Sequence, residues 1–493
     1  MMMNSGAIPI DDSLLRVSKG ELLSDNWSRK TYSVDSSHYE IMPEAILCPV
    51  DEYDVQQACL YSTSKKVPIA ARGAGTGLLG QSLSDGIILD FTKHMNRVLE
   101  IDENHVVVEP GIVKAVLDSE LKKKGKFLPP DPASSRYCTV GGMIADNSSG
   151  VHCLGYGNTV DFLDEVKVVY ADGTFGFASS SQHDSRMEEL RNLLYQQIDL
   201  IENGYPRVNK NSCGYRLDAA VKGGRFLPHK IFAASEGTLG VVTRARLKIL
   251  DTPEKRCVLV TGFEDLLAAV RAVPVFLRYS PVALELMDHT VFSTERQDGT
   301  GCLLFVEFAG SGTEPEGRLE GCKRGLEGKC SVLEYASDEN SLNRVWAART
   351  AALNNIMKLT VGSRKPLGLI EDTVVRPELL AGHVQGLLKT YQENNLEYVM
   401  YGHVGDGNMH TRPLIDITSE SDMKLMTEIA GSVFAEVIRL GGTITGEHGD
   451  GIARQPYIEL MYGRRITEIF LSVKKLFDPG FTLNPGKKVP AKS

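Results

Sequence analysis

Residues 67–82 read VPIAARGAGTGLLGQS. A short apolar run, VPIAAR, stops at an arginine and gives way to glycines at 73, 75, 77 and 80. The run predicts a buried strand. The glycines let the following backbone approach an anion closely, and consecutive N–H groups in such a loop can cradle a pyrophosphate. Before it, VDEYDVQQACLYSTSKKV (50–67) predicts a helix, and after it GIILDF (86–91) predicts another strand. Strands alternating with helices imply an α/β or α+β layer structure.

Further along, VVVEPGIVKAVLDSELKKKGKFLPPDPAS (106–134) predicts a strand, a helix and a proline-rich turn. TVGGMIADNSSG (139–150) sets small residues and amides where a flat ligand can lie, and ASEGTLGVVTRARLKIL (234–250) ends in a β-rich run that predicts a closing strand. Residues 1–42 are polar and weakly patterned, an N-terminal arm with one short helix. In the second half, CVLVTGF (257–263) and CLLFVEF (302–308) alternate with helical stretches near 264–277, 314–327 and 338–358. That order suits a ferredoxin-like antiparallel sheet with helices on one face. The glycine- and charge-rich stretch 310–329 predicts a solvated helix with a mobile loop, and 456–476 a final helix.

At 493 residues the chain is too long for one ordinary core. A formal net charge of −9, with no basic run longer than KKK at 122–124, gives no reason to expect nucleic acid. No apolar stretch approaches the roughly 18 residues of a membrane span. The nine cysteines lack a CxxC spacing, which fits reduced thiols in the cytoplasm and leaves no iron–sulfur cluster in this chain.

The chemistry concentrates at YGHVGDGNMHTRP (401–413) and TGEHGDG (445–451). Glycines at 402, 405 and 407 oppose a helix, so a strand and tight turn bring His403 and His410 together. Two imidazoles and one carboxylate, His403, His410 and Glu447, are the ligand set of a catalytic divalent metal with an open position. His448 is left over beside it to move a proton. Arg412 shares the face of His410, because residues two apart on a strand do. A metallohydrolase would use the same ligand set.

The ordered succession PIAARGAGTGL, PPDPAS, TVGGMIADN, GYRLD and SEGTLGVVT resembles the FAD-binding domain of the vanillyl-alcohol oxidase/para-cresol methylhydroxylase (PCMH) flavoprotein superfamily. WAAR (346–349), GHVGDGNMH, TGEHGDG and FDPGFTLNPGK (477–487) resemble its D-lactate, glycolate and D-2-hydroxyglutarate dehydrogenase branch. The resemblance covers roughly 450 residues and implies an α+β protein: an arm at 1–42, a PCMH-type FAD domain at 43–252, a substrate domain at 253–439, and a segment at 440–493 that folds back. It implies non-covalent FAD, since no histidine stands in the loop Arg72, Gly73, Ala74, Gly75, Thr76, Gly77 and Leu78. Pro132, Ser134, Gly141, Gly142, Ala145 and Asn147 would line the flavin, with Glu236, Gly237 and Val241 on its far side and Asn484 reaching back from the C-terminus.

In that branch the metal, zinc or manganese, binds the hydroxyl and carboxylate of a 2-hydroxy acid, His448 takes the hydroxyl proton and the flavin takes the hydride. Arg349 matches the carboxylate-binding arginine of WxxR, and Lys365 is a third candidate cation. Leu353 stands where 2-hydroxyglutarate enzymes have threonine, and IED (370–372) where they have KYD, which brings D-lactate forward beside D-2-hydroxyglutarate. The electron acceptor would be separate: a quinone, an electron-transfer flavoprotein, an iron–sulfur subunit or oxygen directly. The chain would then be either a free-standing dehydrogenase or a glycolate oxidase-like flavoprotein subunit, as a monomer or homodimer, in the cytoplasm or peripheral at a membrane.

Overall fold

The computed structural model describes Leu14, residues 17–291, 300–356, Leu359 and residues 361–491; the side chain of Leu353 lies outside the described residues. Three large sheets organise it. The first runs, in order, Glu21–Leu23, Ala45–Cys48, Ile87–Asp90 and Ile69–Arg72, with the last three strands parallel. Its edge strand comes from the N-terminal arm, which therefore belongs to this sheet rather than standing apart. Between two of the strands, helix Glu52–Lys65 starts where the Asp51 carboxylate accepts from the Tyr53 and Asp54 N–H groups at 3.0 and 3.1 Å, satisfying donors that the first turn leaves unpaired.

The second sheet is antiparallel, in the order Val98–Ile101, His105–Val108, Val241–Lys248, Leu163–Val169 and Phe175–Ser179. The closing strand is therefore central, flanked by partners far from it in sequence. Helix Val140–Asp146 carries the glycine pair: a Cβ on Gly141 would stand 2.7 Å from the Pro110 Cβ, whereas one on Gly142 would meet Thr139 Oγ1 at an ordinary 3.4 Å.

The third sheet runs Ser331–Ala336, Lys255–Phe263, Cys302–Gly310, Ala283–Asp288, Tyr398–His403, Asn408–Ile415 and Lys365–Pro366, with Thr373–Val374 also on Asn408–Ile415. It differs from the expected one-sided ferredoxin-like layer in being covered on both faces. Leu259, Leu304, Val306 and Phe308 pack with residues of helices Leu266–Leu277 and Glu314–Gly325. Val258, Val260, Leu303 and Phe305 pack on the other side with Leu342 and Val345 of helix Glu339–Ile356. The physical reason is legible in the central strands, where 257–260 (CVLV) and 302–306 (CLLFV) are apolar at every position rather than at alternate ones. The helix of stretch 310–329 is half-sunk: Pro315, Leu319 and Cys322 are buried.

The C-terminal helix Ile458–Phe477 returns to the first half, where Phe470 meets Tyr215 edge-on and Phe477 meets Tyr170 and Phe232. Asn484 N–H then donates to Ile69 O at 2.8 Å, tying the end of the chain to the strand ahead of the glycine loop. No described helix is long and apolar enough to cross a membrane.

Candidate active site

A cavity of about 460 Å³ lies where the glycine loop, helix Val140–Asp146, the hairpin 398–415 and the loop 445–451 meet. Arg72, Gly73, Ala74, Gly75, Thr76, Gly77 and Leu78 line it, with Pro132, Ser134, Gly141, Gly142, Ala145, Glu236 and Gly237. Among the described residues, the N–H groups of 73–78 donate to no protein acceptor, which leaves a row of donors for an anion. The loop has little room for side chains. A Cβ on Gly73 would stand 2.1 Å from Thr139 Oγ1, and Gly75 has φ +66°. The Arg72 guanidinium lies against Gly75 and ties the loop to the N-terminal arm, its Nη2 donating to Val34 O at 2.8 Å.

Three expected flavin contacts are placed differently. Asn147 is fully buried in a left-handed helix cap, its Oδ1 accepting from Val160 N at 2.8 Å. Val241 faces the core and its neighbour Val242 lines the cavity. Asn484 braces from behind, donating to Gln81 O at 2.8 Å and Glu236 O at 2.7 Å. The Glu236 carboxylate accepts from the Asp450 and Gly451 N–H groups, so it fixes the loop 445–451.

The other end of the cavity holds Arg349, Tyr401, His403, His410, Arg412, Glu447 and His448. Antiparallel strands Tyr398–His403 and Asn408–Ile415 pair Tyr401 with His410 and Val399 with Arg412. Alternation therefore sets Tyr401, His403, His410 and Arg412 on one face. Only glycine fits at 407, where φ is +72° and a Cβ would lie 1.8 Å from Val375 O. Lys365 is exposed on its short strand and does not line the cavity.

Glu447 divides its two oxygens. Oε2 accepts from Ser149 Oγ at 2.6 Å, Gly150 N at 2.9 Å and the buried Lys210 Nζ at 2.8 Å. Oε1 faces His403 Nε2 at 2.9 Å and His410 Nε2 at 3.3 Å. His403 Nδ1 donates to Glu285 Oε1 at 2.7 Å, leaving Nε2 for Glu447. Burial opposes a charged His403, but Glu285 and Glu447 outweigh it and raise its pKa to about 9. Two imidazole nitrogens converging on one carboxylate oxygen fit a divalent first-row cation. Among the described residues, the donor atoms that lie close enough together to share an ion belong to Asp372, His410, Glu447 and His448, so the structure groups His448 rather than His403 with His410 and Glu447. The Asp372 carboxylate is occupied, accepting from the Gly446, Glu447 and His448 N–H groups at 2.9, 3.0 and 2.9 Å and from Thr445 Oγ1 at 2.8 Å.

His448 stacks on His410, centroids 4.9 Å apart, with Nδ1 2.7 Å from Glu371 Oε2 and Nε2 3.8 Å from Glu447 Oε1. Burial would favour a neutral Glu371, yet His448 and Arg454 beside it hold its carboxyl well below the ordinary range. Arg349 Nη2 donates to Glu285 Oε2, while its buried Nε–H has no acceptor among the described residues.

Glu285, Lys210, Glu371 and Arg454 form much of this site without having stood out in the sequence. Only the IED departure hinted at one of them. Glu285 is a single charge in an apolar run, Lys210 and Arg454 are single cations in polar stretches, and their partners lie far away along the chain.

A family model described as an FAD binding domain matches residues 43–176, and one described as the C-terminal domain of FAD linked oxidases matches 252–488. The chain is 31% identical to the glycolate oxidase subunit GlcD of Bacillus subtilis, over 97% of this chain and 96% of that one. It is 30% identical to a D-2-hydroxyglutarate dehydrogenase of Pseudomonas putida over 95% of this chain, which spans 50% of that longer relative. Among solved structures, p-cresol methylhydroxylase with substrate bound superposes with a TM-score of 0.71 at 15% identity, covering 95% of this chain and 94% of that one, a likeness of fold.

Proposed function

Since this chain belongs to the FAD-linked oxidases, in their 2-hydroxy-acid dehydrogenase branch, we propose that it oxidises a small D-2-hydroxy acid to the 2-oxo acid with FAD and a divalent metal. D-Lactate and D-2-hydroxyglutarate are the favoured substrates. The observation that carries this reading is that one cavity is lined at one end by the unpaired N–H groups of 73–78 and at the other by His403, His410, Glu447, His448 and two arginines. When bound, FAD supplies the hydride acceptor and zinc or manganese a Lewis acid that makes a coordinated hydroxyl more acidic.

The remaining work falls to the chain's own groups. The main-chain N–H groups of 73–78 hold the FAD pyrophosphate, and His403, His410 and Glu447 Oε1 hold the ion. Arg349, anchored on Glu285 through Nη2, offers Nε–H to the substrate carboxylate, with Arg412 on the same wall. His448 points Nδ1 at Glu371, so Nε2 is the cavity-side nitrogen that takes the hydroxyl proton. Strands and helices buried on both faces keep these groups in register.

The near full-length match to a protein named as a subunit favours a second arrangement of the same chemistry, a glycolate oxidase-like flavoprotein subunit of a larger complex. With no CxxC in the sequence, electrons leave the flavin for a separate acceptor: a quinone, an electron-transfer flavoprotein or an iron–sulfur subunit.

The test is anaerobic bleaching of the flavin absorbance by D-lactate, D-2-hydroxyglutarate, glycolate and the L-enantiomers, before and after chelation. Bleaching by a D-acid or glycolate, lost with EDTA and restored by Zn²⁺ or Mn²⁺, is the expected outcome. Bleaching that persists in protein stripped of metal would remove the metal from the reaction, and no bleaching by any of these acids would remove the substrate class. Arg349→Met should lower kcat/KM for the acid by about 30-fold or more, the cost of truncating one partner of a buried charge pair. A change below about threefold would show that Arg349 does not bind the carboxylate.

A further inference from the structure

His152 lies outside the groups assigned above, at the seam between the flavin-side loops and the third sheet. Its backbone N–H donates to Asp131 Oδ1 at 3.1 Å, and its Nδ1 stands 2.6 Å from Asp131 Oδ2. Its Nε2 stands 3.2 Å from Glu307 Oε1. Asp131 sits in PPDPAS, immediately before Pro132, Ala133 and Ser134, which line the cavity. Glu307 is fully buried on strand Cys302–Gly310, where Trp346 Nε1 donates to its Oε2 at 2.7 Å and Arg256 binds both oxygens at 2.7 and 2.9 Å. Trp346 is one helical turn before Arg349, and its ring lies 5.8 Å from that of His152.

With Asp131 at Nδ1 and Glu307 at Nε2, His152 can donate to both carboxylates only as the doubly protonated ring, because the neutral ring has one N–H. The charge at His152 is therefore part of the structure. Burial opposes it, but Asp131 and Glu307 raise its pKa to about 10. A second tie crosses the same seam: Gly155 N–H donates to Val282 O at 3.1 Å, and a Cβ on Gly155 would stand 2.7 Å from Val282.

We propose that His152 is a positioning residue, a doubly donating imidazolium that pins the cavity-lining turn 131–134 to the helix bearing Arg349 and so sets the carboxylate-binding arginine relative to the flavin. The consequence for Arg349 rests on the functional reading above, whereas the pin itself does not. Gly155 and Val282 hold the seam loosely closed without it, so losing His152 lets the Arg349 helix shift rather than unfolds the protein.

The two tryptophans make the pin directly measurable. Trp27 is 81% exposed and Trp346 is partly buried against His152, so in a Trp27→Phe background emission reports Trp346. In the FAD-loaded protein, His152→Gln is expected to shift Trp346 emission to longer wavelength and to raise KM for the bleaching acid about tenfold, with kcat within about twofold and FAD retained. His152→Arg, which can still donate to both carboxylates, is expected to restore emission and to bring KM within about threefold of the parent. Unchanged emission in His152→Gln overturns the pin, whichever acid, or none, reduces the flavin. Shifted emission with unchanged KM overturns the coupling to Arg349, as does a fall in thermal stability alone.

Discussion

Replacing His448 with Ala should slow anaerobic flavin reduction by about 10²- to 10⁴-fold, the range a positioned proton acceptor supplies, while FAD and metal stay bound. The expectation follows from how the residue is held. Its main-chain N–H is fixed by Asp372 at 2.9 Å, its ring lies on His410, and its Nδ1 is 2.7 Å from Glu371. Three constraints leave Nε2 as the nitrogen facing the cavity. None of them ties His448 to the expected FAD loop, and His403, His410 and Glu447 remain in place without it. Stopped-flow reduction with the best acid separates the alternatives: a rate within about threefold of the parent would remove His448 as the proton acceptor. Loss of flavin or metal in the same variant would assign it a structural part instead.

The largest effect on stability is expected at Arg454. Its guanidinium is completely buried and donates to Glu371 Oε1 at 2.9 Å, Thr445 Oγ1 at 2.7 Å, Leu369 O at 3.0 Å and Asp372 Oδ2 at 3.3 Å. Arg454→Met keeps much of the volume but removes a buried positive charge from two buried carboxylates, leaving Glu371 to His448 Nδ1 at 2.7 Å and Arg412 Nη2 at 3.8 Å. Breaking a buried pair from one side costs roughly 3–5 kcal/mol. Denaturant unfolding followed by flavin release should register that loss, and His448 should lose its orientation with it, because Glu371 and Asp372 are its anchors. A variant within about 0.5 kcal/mol of the parent would show that the two carboxylates find another partner or a proton.

How much of this was legible in the sequence differs between residues for physical reasons. The glycine loop was readable because glycine announces a backbone constraint at its own position: Gly73 and Gly75 have no room for a side chain. The strand–turn–strand around His403 and His410, and the shared face of Arg412, were readable because β periodicity is local. The place of Lys365 is not legible locally, because a cation's sequence position says nothing about the direction of its side chain, and its strand carries it to the surface. The second covered face of the third sheet is not legible in an apolar run alone, because such a run marks a buried strand without showing which helices cover it.

By itself, then, the sequence determined the layered α+β organisation, the glycine loop and the hairpin that brings His403 and His410 together, each written in residues close together along the chain, whereas Glu447 reaches His403 across 44 residues through the fold. Tertiary structure alone decided which charges face one another. Glu285 meets Arg349 across 64 residues, Lys210 meets Glu447 across 237, and His152 meets Glu307 across 155. Glu285, Lys210 and Glu307 are buried in the folded protein, and burying such a charge is tolerable only opposite a partner. That requirement says a partner exists, but the fold has to close before it says which one.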